Sequence, residues 1–398
     1  MKKGLQVLLL IILIFAFFFF GGEDEVDTIA TNIAKEIVPD AAFLENINRH
    51  PPSYFVYNQC GEKLGYFGIG EAPGYGGPLQ VGVAIDLAGE IIGATIVSHK
   101  ETPSYYEKII EQERYLEALR NKHVSDPFEI EKDLDAISRA TITCCAIAEA
   151  SRQVSHYVGR EELHLDIKSK DLVWKVGAAE IAVAILFITV IVLTIILSRY
   201  KARKIILLVS TVILGFWLNR PISIGQISGG FLGYFPSCYT NLMWYLVLGV
   251  GIGLPLFLGK NIYCYWLCPF GGVQELANKI SGVNLTFKAY ERKIRTTRNA
   301  LLWISLLIVF VTRNPNLGAY EPFGTIFGFT GSQISWLLLF VVMVASMFSR
   351  RFWCNYFCPV GAFLDYTAKL HRYIKRLLKN VLVRRQPIAL KGKKASQG

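Results

Sequence analysis

Acidic residues almost disappear after residue 171. Of the 31 in the chain, only Glu180, Glu275, Glu291, Glu321 and Asp365 lie beyond it. Basic residues instead crowd Arg199–Lys204, Lys279–Arg298 and Lys369–Lys394. A net charge of +11 distributed in this way is a topology signal, with some attraction of the basic tail to anionic lipid, and nucleic acid is not an expected partner. Histidine is scarce too: the six present all lie outside the apolar runs, which excludes bis-histidine haem within those runs. Ionisable residues are nearly absent from the runs themselves, so no transport pathway is implied. The first run follows Met1-Lys2-Lys3, yet no small-residue cleavage site comes after Phe17–Phe20; an uncleaved anchor is expected rather than a removed signal. The C-x-x-C-x-x-C run of soluble ferredoxins is missing, and no cysteine follows Cys358.

What the chain has in abundance is apolar sequence. Its mean hydropathy is +0.36, with apolar runs near 5–20, 173–197, 205–218, 242–259, 299–312 and 333–348. Some fall short of the ~20 residues that span a bilayer, but flanking aromatics extend them, and about six transmembrane helices are expected. The positive-inside rule then places the three basic segments in the cytoplasm. The expected fold is an α+β extracytoplasmic domain joined to an all-α polytopic membrane domain in a bacterial or archaeal cytoplasmic membrane. The expected divisions are an anchor at 1–22, the external domain at 23–172, the membrane domain at 173–366 and a basic cytoplasmic tail at 367–398.

Within the external domain, Val81–Asp86 and Ile91–Val97 alternate like strands joined at Leu87–Glu90, and helical patterning follows at 105–121 and 143–157. Two stretches go beyond packing. One is Gly74-Tyr75-Gly76-Gly77-Pro78-Leu79 with His99-Lys100-Glu101-Thr102-Pro103; the other is Asp135-Ala136-Ile137-Ser138-Arg139-Ala140-Thr141. Together they resemble the FMN-binding domain of the Rnf and Nqr electron-transport complexes and of NosR-type proteins, whose D-x-x-[ST]-G-A-T motif ends in a threonine that receives FMN through a phosphoester. The resemblance implies covalent FMN on Thr141, with Asp135, Ser138, Ala140, Glu101 and Thr102 in the binding motifs and an ApbE-type flavin transferase as partner. Arg139 stands where the family has glycine, and Ser104-Tyr105-Tyr106 replaces the family's G-L-G. A threonine at a helix start suits phosphate because backbone N–H groups and the helix dipole favour an anion there. Cys144 and Cys145, just beyond, are expected as small buried residues of the following helix. A disulfide from Cys60 to one of them stays open, and Cys238 receives no role.

Cysteine carries the second signal. Asn261-Ile-Tyr-Cys264-Tyr-Trp-Leu-Cys268-Pro269 and Arg351-Phe-Trp-Cys354-Asn-Tyr-Phe-Cys358-Pro359 repeat one pattern, each after an apolar run. A C-x-x-x-C spacing on a helical turn puts both sulfurs on one face, and the proline turns the chain away. Residues 205–275 and 299–365 look like two copies of one unit, and such a repeat brings Cys264 and Cys268 opposite Cys354 and Cys358. Four soft thiolates select an iron–sulfur cluster or zinc; buried unligated thiols are the third possibility.

This half resembles the membrane polyferredoxin-like region of NosR-type and NapH-type proteins, where C-x-x-x-C-P occurs twice. The resemblance implies a cluster, expected as [4Fe-4S]; because the reductant pool is cytoplasmic, electrons are expected to flow from a cytoplasmic donor, ferredoxin-like or other, through FMN to an extracytoplasmic acceptor. Two other readings remain: a NosR/NirI-like regulatory or maturation factor, and a zinc-stapled anchor displaying a flavodomain. A bilayer core of ~30 Å is too wide for one fast electron step. Either the flavin domain docks on the loops, with Gly229–Phe235 as a candidate surface, or a quinone or partner bridges the gap.

Overall fold

The computed structural model describes residues 9, 11–17, 26–74, 76–100, 114–130, 132–135, 137, 141–168, 174, 176–196, 202–239, 241–283, 285 and 291–385. Five strands form an antiparallel meander in chain order: β1 (Phe43–Arg49), β2 (Pro52–Tyr57), β3 (Lys63–Pro73), β4 (Pro78–Asp86) and β5 (Ile91–His99). Helix α1 (Val26–Ile37) precedes the sheet; a short α2 (Arg114–Glu117) and the 17-residue α3 (Thr141–Tyr157) follow it.

Period-two alternation assigns the two faces. Phe67, Ile69 and Ala84 pack with Ala30 and Ala34 of α1, whereas Tyr66, Ala72, Leu79, Val81, Val83 and Ile85 pack with Ile147, Ala150 and Val154 of α3. Glycine permits the close approach of α3: a Cβ on Gly70 would lie 2.0 Å from the Ala150 carbonyl oxygen. The sheet therefore fixes where α3 begins, and α3 begins at Thr141.

The rest is helical: α4 (Ala178–Ile191), α5 (Arg203–Ser210), α6 (Ile224–Phe231), α7 (Leu242–Leu258), α8 (Pro269–Ser281), α9 (Glu291–Thr312), α10 (Phe323–Gly328), α11 (Gln333–Phe348), α12 (Phe352–Tyr356) and α13 (Pro359–Arg385). One continuous apolar core joins them, centred on Tyr263, Trp266, Phe270, Trp353 and Leu364.

The expectation of about six spanning helices is overturned. Among the described residues, no helix is long and apolar enough to cross a membrane, and the multi-pass placement with its inside and outside assignments falls with it. The apolar runs are real, but they are cut into short pieces. Helix α4 has 14 residues before the backbone widens into a π-helical turn at Val192–Ile196. Helix α5 has 8 residues and gives way to another such turn at Thr211–Trp217. Helix α7 stops after 17 residues, with Pro255 inside it and a left-handed Gly259 at its end, and α11 has 16. At 1.5 Å per residue these fall below the ~30 Å of a hydrocarbon core. Helix α9 has the length, at 22 residues, but starts with the charged run Glu291-Arg292-Lys293.

Candidate functional site

The two cysteine motifs share a closing hydrogen bond on different turns. The first is a π-helical turn, Tyr263–Leu267, and the second is α12. In each, the second cysteine's N–H donates to the carbonyl five residues back: Cys268 to Tyr263 at 2.9 Å, and Cys358 to Trp353 at 3.0 Å. Each second cysteine is then followed by a proline that opens a helix, Pro269 of α8 and Pro359 of α13, a position where the missing N–H costs nothing. Gly272 and Ala362 donate to the carbonyls of Cys268 and Cys358 at 3.1 and 3.3 Å.

Packing of α8 against α11 and of α13 against α7 and α9 brings the copies face to face. Cys264, Cys268, Cys354 and Cys358 line a single cavity of about 570 Å³. Arginines bind the carbonyl of each motif's first cysteine: Arg351 Nη1 donates to Cys264 O at 2.7 Å, and Arg298 Nη1 to Cys354 O at 3.2 Å. Arg298 also pairs with Asp365, which in turn accepts from Asn261 Nδ2 at 3.0 Å. Glu275 receives three arginines, Arg203 at 2.6 Å, Arg351 at 2.8 Å and Arg350 at 3.0 Å. Burial pushes the Glu275 carboxyl up, but the hydrogen bond from Arg203 and the three guanidinium charges hold it below its ordinary value.

The thiols differ. Burial, with the neighbouring Cys354, pushes Cys264 up to about 12, and burial also raises Cys358. Cys354 falls to about 7, first through its hydrogen bond with Cys268 and then, against its own burial, through Arg351, Gln274 and Arg298. Two N–H groups point at sulfur: Gln274 Nε2 lies 3.2 Å from Cys354 Sγ, and Gly361 N lies 3.3 Å from Cys358 Sγ. Four thiols, amide donors and a cationic rim suit an anionic thiolate-ligated cluster. Among the described residues, no three His, Cys, Asp or Glu side chains are drawn close enough together to hold a metal ion. Sequence reasoning missed Gln274, Arg298 and Glu275; their only trace was polar character beside an apolar helix.

Thr141 is the first residue of α3, whose first turn holds no acidic side chain, an arrangement that favours a phosphate. Asp135 is exposed on the loop before it. Ser138, Ala140, Glu101 and Thr102 lie outside the described residues. Cys144 is buried, as expected, but Cys145 is exposed, and no disulfide joins Cys60 to Cys144. The Gly74–Pro78 stretch forms a turn, with Gly74 N donating to Gly77 O at 2.8 Å and Lys100 N to Pro78 O at 2.9 Å.

Lys100 also reaches the helical half. Its ammonium donates to Tyr234 Oη at 3.0 Å, within the loop expected as a docking surface, and its carbonyl accepts from Asn316 Nδ2. Four residues on from Asn316, Tyr320 Oη donates at 2.6 Å to the carbonyl of Phe357, the neighbour of Cys358.

Known proteins match the same two regions. Residues 74–155 match the FMN-binding domain family, and residues 240–288 and 332–377 match the 4Fe-4S binding domain family. Protein NirI of Paracoccus denitrificans is 29% identical over 189 residues, 43% of this chain and 27% of NirI. The regulatory protein NosR of Stutzerimonas stutzeri is 32% identical over 137 residues, 30% of this chain and 18% of NosR. The methylamine utilization ferredoxin-type protein MauN of Methylobacillus flagellatus is 29% identical over 187 residues, 41% of this chain and 63% of MauN. The chain thus spans about a quarter of NirI and less than a fifth of NosR. An FMN-binding domain thus stands ahead of a twice-matched 4Fe-4S binding domain, in a chain that is similar to parts of NosR and NirI.

Proposed function

We propose that this chain transfers electrons between an iron–sulfur centre held by Cys264, Cys268, Cys354 and Cys358 and an FMN esterified to Thr141. The cluster supplies one-electron chemistry and the flavin both one- and two-electron chemistry. The chain's own residues hold, neutralise and connect the two sites. The observation that carries this reading is the contact of Lys100, beside the flavin motif, with Tyr234 and Asn316. Asn316 and Tyr320 are four residues apart in the segment that ends against Phe357. Four residues reach at most ~14 Å when fully extended, so the protein itself supplies a short covalent and hydrogen-bonded connection. A ferredoxin-like donor at the arginine-lined mouth of the cysteine cavity and an acceptor at the flavin domain complete the path, and an ApbE-type transferase loads the flavin.

Iron, acid-labile sulfide and zinc per chain on anaerobically purified protein test the reading. About four irons and four sulfides support it; about one zinc with little iron removes it. Thr141→Ala is expected to abolish covalent flavin in peptide mass spectra. The name of NosR, a regulatory protein, favours a second reading, in which the redox state of the chain controls a partner's expression. Reduction of a purified soluble acceptor by the loaded chain supports transfer over regulation.

A further inference from the structure

The two cysteine motifs are near copies, yet one buried position breaks their equivalence. Six residues after the second cysteine stands Gln274 in the first copy and Leu364 in the second. Both side chains are fully buried. Gln274 is held by three elements. Its Oε1 accepts from Trp353 N at 2.8 Å and from Ser346 Oγ at 3.2 Å, and its Nε2 donates to Phe270 O at 3.3 Å and to Cys354 Sγ at 3.2 Å. The amide orientation is set by this network, because a backbone N–H only donates. The oxygen must therefore face Trp353, which leaves the N–H₂ end on the sulfur. The Asn261 side chain also hydrogen-bonds the Cys264 thiol, so each motif's first cysteine has an amide partner, but Gln274 is the fully buried one of the two.

We propose that Gln274 raises the reduction potential of the iron–sulfur centre through its N–H···S hydrogen bond to Cys354. The proposal rests on the iron–sulfur reading above. An amide donor withdraws electron density from a ligating thiolate and stabilises the reduced, more negative cluster more than the oxidised one. Removing the donor lowers the potential. Gln274 is a positioning residue in this account, because it acts through Cys354.

The test compares the parent with Gln274→Leu, which installs the residue the second copy already uses, and with Gln274→Glu, which keeps an acceptor for Trp353 N–H. Iron and sulfide in the parent decide the cluster reading separately. In loaded protein, potentiometric titration followed by electron paramagnetic resonance is expected to show a lower midpoint potential in both variants. At a fixed ambient potential, about a tenfold fall in the reduced-to-oxidised ratio corresponds to ~59 mV for a one-electron couple. Electron–nuclear double resonance in H₂O and D₂O is expected to lose one exchangeable proton coupling in both variants. Unchanged potentials with the coupling retained overturn the proposal. Failure of both variants to hold iron also overturns it, since Gln274 would then only hold the site together.

Discussion

Glu275 is the residue on which the cysteine cavity's charge balance turns. One carboxylate faces Arg203, Arg350 and Arg351, and Arg351 in turn holds the carbonyl of Cys264. Removing one partner of a buried ion pair costs about 3–5 kcal/mol, so Glu275→Gln is expected to lose stability on that scale in chemical denaturation. The pH dependence has a definite sign. The folded-state pKa lies below the ordinary 4.5, so the stabilisation is fully present above that value and is lost as pH falls through the folded one. An acid titration of the parent is expected to show this loss, and the Glu275→Gln variant to lack it. Surface pairs such as Lys132–Glu129, with the lysine largely exposed, contribute little by comparison.

At the scale of elements, two junctions govern the site. Helix α6 is closed at its start by Glu321, whose Oε1 accepts from Ile224 N at 2.8 Å. Burial pushes this carboxyl up to about 7 from 4.5. Between those values the unfolded chain releases its proton before the folded one does, so stability falls as pH rises through the window. Glu321→Gln keeps the acceptor and removes the charge. Its melting temperature is expected to stay flat from about pH 5 to 7 and to exceed the parent's at about pH 8. The second junction is Gly70, where β3 meets α3. A methyl group there would press on the Ala150 carbonyl, and Gly70→Ala is expected to cost about 1–3 kcal/mol. Denaturant titration measures it, and an unchanged midpoint would mean that α3 has slack against the sheet.

Across the whole molecule, the decisive contact is the one between halves. Tyr234 receives the Lys100 ammonium at 3.0 Å, and its ring lies 5.3 Å from that charge. Tyr234→Ala removes both interactions. Stopped-flow mixing with a reductant is expected to show flavin reduction slowed several-fold, with iron and flavin content as in the parent. An unchanged rate would mean that the halves communicate elsewhere. Gly229–Phe235 stood out as a docking candidate because it combines glycine with aromatics, and it is Tyr234, just past the end of α6, that meets Lys100. The expected spanning helices fail for a physical reason. Hydropathy counts apolar side chains but not the backbone hydrogen-bond pattern, and Val192–Ile196 and Thr211–Trp217 change that pattern within apolar sequence.

The sequence alone determined what is local. The C-x-x-x-C-P spacing pointed to a helical turn ended by proline, while the five-back hydrogen bond and the helix that each proline opens emerged only in the structure. Alternation along Val81–Asp86 likewise marked a strand. Tertiary structure decided everything that joins distant residues. It placed Cys264 and Cys268 across one cavity from Cys354 and Cys358, set Gln274 against a sulfur 80 residues away, and gathered three arginines on Glu275. The repeat of the cysteine motif already pointed to the first of these, but the contacts of Gln274 and Glu275 carry no spacing rule, because they form only where packed helices bring side chains together.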